Sequence, residues 1–295
     1  MKKPTFKIFL YLLPISFLFS SISVSAQHEY FGLTPPGNTP EVFAPDFIST
    51  EAFEFCGMFT PDGKEYFFTR RNSYEGSENR IYQTKFKRGE WIRPQLASFS
   101  KDVFEFEPQI DPNGNKIYFY SERSGNRDDR FDGDLWISYK TTSGWSDPDH
   151  FKSIVNKKWC MSVSPALDGT LYFSSFFVSN RGVFNSEKDD GYSTVTYLPE
   201  SINSRYFAHP YIAPDESYML MDARVGGMGK SAIFISFNKD GKWSEPVMLG
   251  PEINATQTEF GASVSPDGKY LFFHRRVEGN GDIYWVSSEF MNELR

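Results

Sequence analysis

The sequence predicts an all-β fold, a single β-propeller of five four-stranded blades. Three observations carry this. A short phrase of small apolar strand, Pro-Asp-Gly-like turn and aromatic strand returns five times, at residues 59–68, 110–119, 163–173, 212–220 and 264–273. The turn prolines Pro61, Pro112, Pro165, Pro214 and Pro266 are spaced 51, 53, 49 and 52 residues apart. A fixed period near 50 with several short strands in each period marks a radial repeat. The chain also holds 30 Phe, 16 Tyr and 6 Trp, as suits many short strands packed face to face.

The first 26 residues stand outside the repeat. Lys2, Lys3 and Lys7 precede an apolar run from Ile8 to Phe19, which Pro14 interrupts, and Val24-Ser25-Ala26 offers small residues for cleavage. This pattern predicts a secretory signal peptide over residues 1–26 and a mature propeller domain over 27–295, in the periplasm or outside the cell. No Cys follows the cleavage point, so neither a lipid anchor nor stable membrane insertion is expected.

Each period then carries four strand signals. Strand a precedes the turn and strand b follows it. Pro presets φ at the turn and Gly accepts the positive φ it needs, so the two form a hairpin. Strand c reads Arg80-Ile81-Tyr82, Asp134-Leu135-Trp136, Gly182-Val183-Phe184, Ala232-Ile233-Phe234 and Asp282-Ile283-Tyr284. Strand d follows a Gly turn and an aromatic residue. Three copies then run to an Asn, at Asn156, Asn203 and Asn254. The fifth period lacks strand d. The segment from Pro40 to Ile48 resembles the residues from Pro246 to Ile253, so it is expected to complete the last blade and tie the termini together. Six blades are the alternative, but no residues are left to build a sixth.

The turn Ser265-Pro266-Asp267-Gly268-Lys269, with Arg276 and Asp282-Ile283-Tyr284 after it, resembles the WD40-like PD40 repeat of the TolB family. The resemblance runs from about Phe53 to Val286. It implies a propeller of an exported protein and says little about activity, because propellers host many functions. The third copy departs from the pattern, with Ala166-Leu167 placed before Asp168-Gly169. No helical N-terminal domain like that of TolB is evident, so TolB's role in an envelope complex does not carry over.

Aligned on the turn prolines, one column on the innermost strand reads Cys56, Glu107, Cys160, His209 and Gly261. The alternate column is apolar, so period-two alternation turns these residues to the other face, toward the central channel. They are the candidate ligand-lining residues. Cys, Glu and His are also metal-ligand types, which makes Cys56, Glu107, Cys160 and His209 a candidate metal set beside the plainer reading of packing between blades. Two residues further back stand Glu54, Glu105, Lys158, Phe207 and Glu259, which predict an acidic channel mouth suited to a cation or basic peptide. Arg71, Arg123, Arg224 and Arg276 recur after strand b, with Arg123–Asp134 and Arg276–Asp282 ion pairs expected. The acidic loop at residues 128–134 is a weak Ca²⁺ candidate. The two cysteines lie in non-adjacent blades, too far apart for a disulfide.

No nucleophile-elbow, zinc-protease or phosphate-loop motif is present, no catalytic residue is assigned, and no cofactor is required by the sequence. The net charge of −7 and the scattered basic residues argue against nucleic acid. The sequence therefore predicts a monomeric, non-enzymatic binding propeller for a protein, peptide or glycan of the cell envelope. The alternative is a propeller enzyme, a glycan lyase or hydrolase or a lactonase-like protein, with a metal or carboxylates in the channel.

Overall fold

The structure is a computed structural model that describes residues 29–72, 78–123, 133–158, 160–175, 181–226 and 230–295. The signal-peptide segment and most of the acidic loop at 128–134 lie outside the described residues. No described helix is long and apolar enough to cross a membrane.

After β1 (Glu41–Val42), the strands fall into four hydrogen-bonded sheets, the largest joining the first and last sets of strands through a parallel bridge of Phe53 to Gly281; divided at that bridge they give five successive units, numbered blades 1 to 5. Blade 1 holds β2 (Phe53–Phe59), β3 (Glu65–Arg71) and β4 (Asn79–Lys87), with the short β5 (Glu90–Trp91) and β6 (Gln95–Leu96) both on β4. Blade 2 holds β7 (Glu105–Ile110), β8 (Lys116–Ser121) and β9 (Asp134–Thr141), edged by β10 (Gly144–Trp145) and β11 (Asp149–His150). Blade 3 runs β12 (Cys160–Pro165), β13 (Leu171–Ser175), β14 (Gly182–Ser186), β15 (Thr196–Tyr197). Blade 4 runs β16 (Phe207–Ile212), β17 (Tyr218–Arg224), β18 (Ser231–Lys239), with β19 (Lys242–Trp243) and β20 (Val247–Met248) on its edge. Blade 5 holds β21 (Glu259–Val264), β22 (Tyr270–Val277) and β23 (Asn280–Ser287).

The fourth strand of blade 5 comes from the other end of the chain. β1 pairs antiparallel with β23, Val42 opposite Tyr284, and Phe43 N–H donates to Ile283 O at 2.8 Å. Phe43 is fully buried, with its ring 4.9 Å from Phe272 and 5.1 Å from Trp285. The segment from Pro40 to Ile48 thus closes the last blade as the sequence predicts. The recurring Asn has a physical reason too. The amides of Asn156, Asn203 and Asn254 each accept from the N–H and donate to the C=O of one strand-c residue, Leu135, Val183 and Ile233. Each amide also donates to the carbonyl five residues earlier, that of Phe151, Leu198 or Leu249 just after strand d, so one side chain fixes strand c to strand d.

Every innermost strand is broken by a bulge at the same place. The register with strand b shifts between Phe55 and Met58, Phe106 and Gln109, Met161 and Ser164, Ala208 and Tyr211, and Phe260 and Ser263. Cys56, Glu107, Ser162, His209 and Gly261 sit in these bulges with φ of 49°, 57°, 53°, 45° and 63°. A bulge re-aims the side chain it carries. We predict that Phe43→Ala lowers the free energy of unfolding by about 3–5 kcal/mol, because it opens a cavity in the closing blade. Urea denaturation of a chain of residues 27–295 measures this, and a loss below about 1 kcal/mol would contradict the role given to the closing segment.

Candidate functional site

The bulge column determines which residues meet at the axis, and it corrects the sequence alignment in blade 3. Ala166 N–H donates to Thr170 O and Gly169 N–H to Ala166 O, the pattern that Thr60 makes with Glu65 and Gly63. The blade 3 turn therefore starts at Ala166, and Leu167 takes the place of the turn proline. Ala166-Leu167 shifts the register by two, so Ser162 and not Cys160 is the equivalent of Glu107 and His209. Cys160 falls instead in the column of Glu54, Glu105, Phe207 and Glu259, packed among Tyr118, Leu135 and Val163. Lys158, which the sequence aligned there, does not belong to that column.

Three blades bring polar side chains together. His209 Nε2 lies 3.1 Å from Glu107 Oε1, and His209 Nδ1 lies 2.8 Å from Asp222 Oδ1. Ser162 Oγ donates to the other Glu107 oxygen. Asp222 also accepts the N–H of Gly261 at 3.1 Å, and the N–H of Glu107 donates to Thr69 Oγ1 at 2.8 Å. Glu107, Asp222 and Ser162 are buried, while the His209 side chain keeps 21% of its exposure. Burial opposes the charge on His209, but Asp222 and Glu107 outweigh it and hold its pKa well above the usual imidazole value. A carboxylate oxygen stands at hydrogen-bond distance from each ring nitrogen, the arrangement that suits an imidazolium donating from both.

Cys56 lies beside this group. Burial first, then the charges of Glu107 and Asp222, push its thiol well above the ordinary value. Burial and Glu107 do the same to Cys160. Gly261 completes the column because a Cβ there would stand 2.7 Å from Cys56 Sγ. The register shift in blade 3 takes Cys160 out of the axial column, so the four residues Cys56, Glu107, Cys160 and His209 do not ring the channel at one height. Among the described residues, no group of three His, Cys, Asp or Glu is placed to hold an ion.

The second column is occupied internally. Glu54 meets Arg70 at 2.8 Å, Glu105 meets Arg123, and Glu259 meets Arg275 at 3.2 Å, with all three carboxylates fully buried. Each also accepts from a hydroxyl that precedes it, Thr50, Ser100 or Thr256. The structure thus places these acids in ion pairs within blades 1, 2 and 5 rather than on an open rim. Arg70 and Arg275 carry two of these pairs, in place of Arg71 and Arg276. Asp134 meets His150 at 2.9 Å. Asp282, opposite Arg275 in the sheet, is pushed up to about 6 by burial and by Glu54.

Sequence reasoning missed Ser162 and Asp222. Counting back seven residues from the positive-φ turn residue of each repeat, Gly63, Gly114, Gly169, Glu216 and Gly268, finds the whole axial column, Ser162 included. Asp222 announces itself as a carboxylate between Met221 and Ala223 inside β17, read YMLMDAR.

No family model matches the chain, and no curated protein is similar to it. Solved structures share its shape. A candidate TolB from Agrobacterium tumefaciens superposes with a TM-score of 0.52 at 14% identity, over 81% of this chain and 78% of that one. The fold is that of a TolB-like β-propeller. TolB from Acinetobacter baumannii gives a TM-score of 0.49 at 16% identity, over 82% of this chain and 54% of that one, so this chain spans about half of its length. A structure described as a glycoside hydrolase gives 0.55 at 10% identity, over 88% of this chain and 93% of that one. At these identities the likeness concerns the fold alone.

The axial network of this TolB-like propeller makes two measurable claims. Cys56 and Cys160 are free and buried, so a thiol reagent should find both after denaturation without reductant and neither in the native protein. Finding none in denaturant would place them in a disulfide. His209 binds its proton more tightly folded than unfolded. Its contribution is therefore fully present below the unfolded pKa of about 6.5 and is lost as pH rises through the higher folded value. From about pH 7 up to the raised folded value this group should lower the free energy of unfolding by at most about 1.4 kcal/mol per pH unit, and His209→Gln should remove that slope. Urea unfolding across this range measures it, and equal slopes in both proteins would contradict the imidazolium.

Proposed function

We propose that the chain is an exported binding propeller that engages a protein, peptide or glycan of the cell envelope without transforming it. One observation supports this above others. The two axial carboxylates, Glu107 and Asp222, are both engaged by a single imidazolium. A histidine that donates from both nitrogens cannot take a proton from Ser162 or from water, and the carboxylates bonded to it are poorly placed to act as nucleophile or base. Export rests on the leader pattern of residues 1–26.

The second reading is a glycan-cleaving propeller. It draws on the same pair of acids, since two carboxylates at one axis are the equipment of glycoside chemistry. A single experiment separates the readings. The mature chain, residues 27–295, is incubated with envelope extract and with a panel of envelope polysaccharides, and bound material is recovered and sized. Binding predicts retention of a ligand at unchanged length. A time-dependent rise in reducing ends or unsaturated products, abolished by Glu107→Gln, would replace binding with catalysis.

A further inference from the structure

Because the blades repeat, the grooves between neighbouring blades can be compared within one molecule. Between blades 1 and 2 the outer groove is filled by the chain's own cation. Lys140 Nζ sits 4.8 Å from the ring centroid of Trp145 and 2.8 Å from Glu65 Oε1. Lys85 reaches the same carboxylate at 3.5 Å, and Trp145 Nε1 donates to it at 2.7 Å. Between blades 4 and 5, the guanidinium of Arg295 lies 5.7 Å from the Phe237 ring and donates to Ser217 Oγ at 3.3 Å.

The groove between blades 3 and 4 has the same frame and different groups. Trp243 pairs with Asn238 as Trp145 pairs with Lys140, so Asn238 stands where Lys140 would be. Ser186 lies opposite Leu171 as Thr84 lies opposite Tyr66, which puts Glu187 where Lys85 would be. Thr170 replaces Glu65. Both lysines are gone, and a cavity of about 490 Å³ remains. Tyr172 and Trp243 form its aromatic walls, with ring centroids 6.3 Å apart. Asp168, Glu187, Asp189 and Glu216 line it against Lys188, whose stem runs past Gly169. Tyr172 Oη donates to Glu216 Oε1 at 2.6 Å and fixes that carboxylate on the wall. Asn238 Oδ1 is buried with no partner, in a position that elsewhere carries an ammonium group.

Spread carboxylates, an aromatic face and an unanswered acceptor match an organic cation on an apolar stem, not a bare metal ion, which needs convergent ligands. We infer that the groove between blades 3 and 4 binds a lysine or arginine side chain of a peptide, which takes the place Lys140 fills between blades 1 and 2. This rests on the binding reading above and narrows it to a basic peptide.

The test is calorimetric titration of the mature chain with capped trilysine, against capped trialanine and N-acetyl-lysine amide. Trilysine should bind, more weakly as salt rises, and trialanine should not. Asn238→Lys supplies the cation from within. It should keep the thermal midpoint at or above that of wild type and weaken trilysine binding at least about tenfold. Glu187→Gln with Glu216→Gln should weaken it comparably. The inference is overturned if folded wild type does not bind trilysine or if Asn238→Lys binds it equally well. Equal affinity for N-acetyl-lysine amide would overturn the peptide assignment in favour of a free ammonium compound. If the envelope ligand is retained equally by wild type and Asn238→Lys, the propeller binds elsewhere and only the groove assignment fails. If neither retains one, the binding reading itself fails.

Discussion

The arrangement at the axis depends on one backbone constraint, the left-handed bulge in every innermost strand. Side chains resist positive φ, at about 1–2 kcal/mol for each non-glycine residue, and four of the five bulge positions here are not glycine. At two of the five positions a side chain of the neighbouring blade holds the bulge N–H. Thr69 on blade 1 takes the N–H of Glu107 on blade 2, and Asp222 on blade 4 takes the N–H of Gly261 on blade 5. A regular strand would send these side chains alternately into the two blade interfaces. The bulge turns them to the axis, so residues from separate blades share one small space.

That space has to balance charge with little help from water. Glu107 and Asp222 are buried at 4% and 5% exposure, and a buried carboxylate persists only when paired and hydrogen-bonded. His209 answers both, Ser162 adds a donor to one, and Cys56 remains a neutral thiol beside them. His274 shows the contrasting outcome. It is fully buried, with its ring centroid 4.4 Å from that of Phe53 and 4.5 Å from that of Phe260, and burial pushes it down to about 3. Acidic partners decide which buried imidazole holds a charge. Further out, the Glu54–Arg70, Glu105–Arg123 and Glu259–Arg275 pairs fix the ends of the inner hairpins.

Much of this was legible in the sequence, and the remainder failed for physical reasons. The period, the hairpins and the strand exchanged between the termini follow from turn chemistry and patterning, which are local. The Asn staples were visible as a recurrence before their bonds were known. The blade 3 register was not, because proline marks a turn only when it occupies the turn's second position, and Pro165 ends a strand instead. Glu54, Glu105 and Glu259 read as a rim because no local signal says that an arginine sixteen or eighteen residues later folds back onto them. Asp222 became meaningful only when the ring placed it against His209.

The central claim is a charged imidazole shared by two carboxylates on the propeller axis. ¹H–¹⁵N NMR of the histidine side chains measures it directly. At about pH 8, where an unperturbed imidazole has lost its extra proton, the account predicts that both ring nitrogens of His209 still carry hydrogen. Replacing either Glu107 or Asp222 with its amide should bring that titration down toward neutrality. A neutral His209 ring with a single protonated nitrogen at that pH would contradict the account.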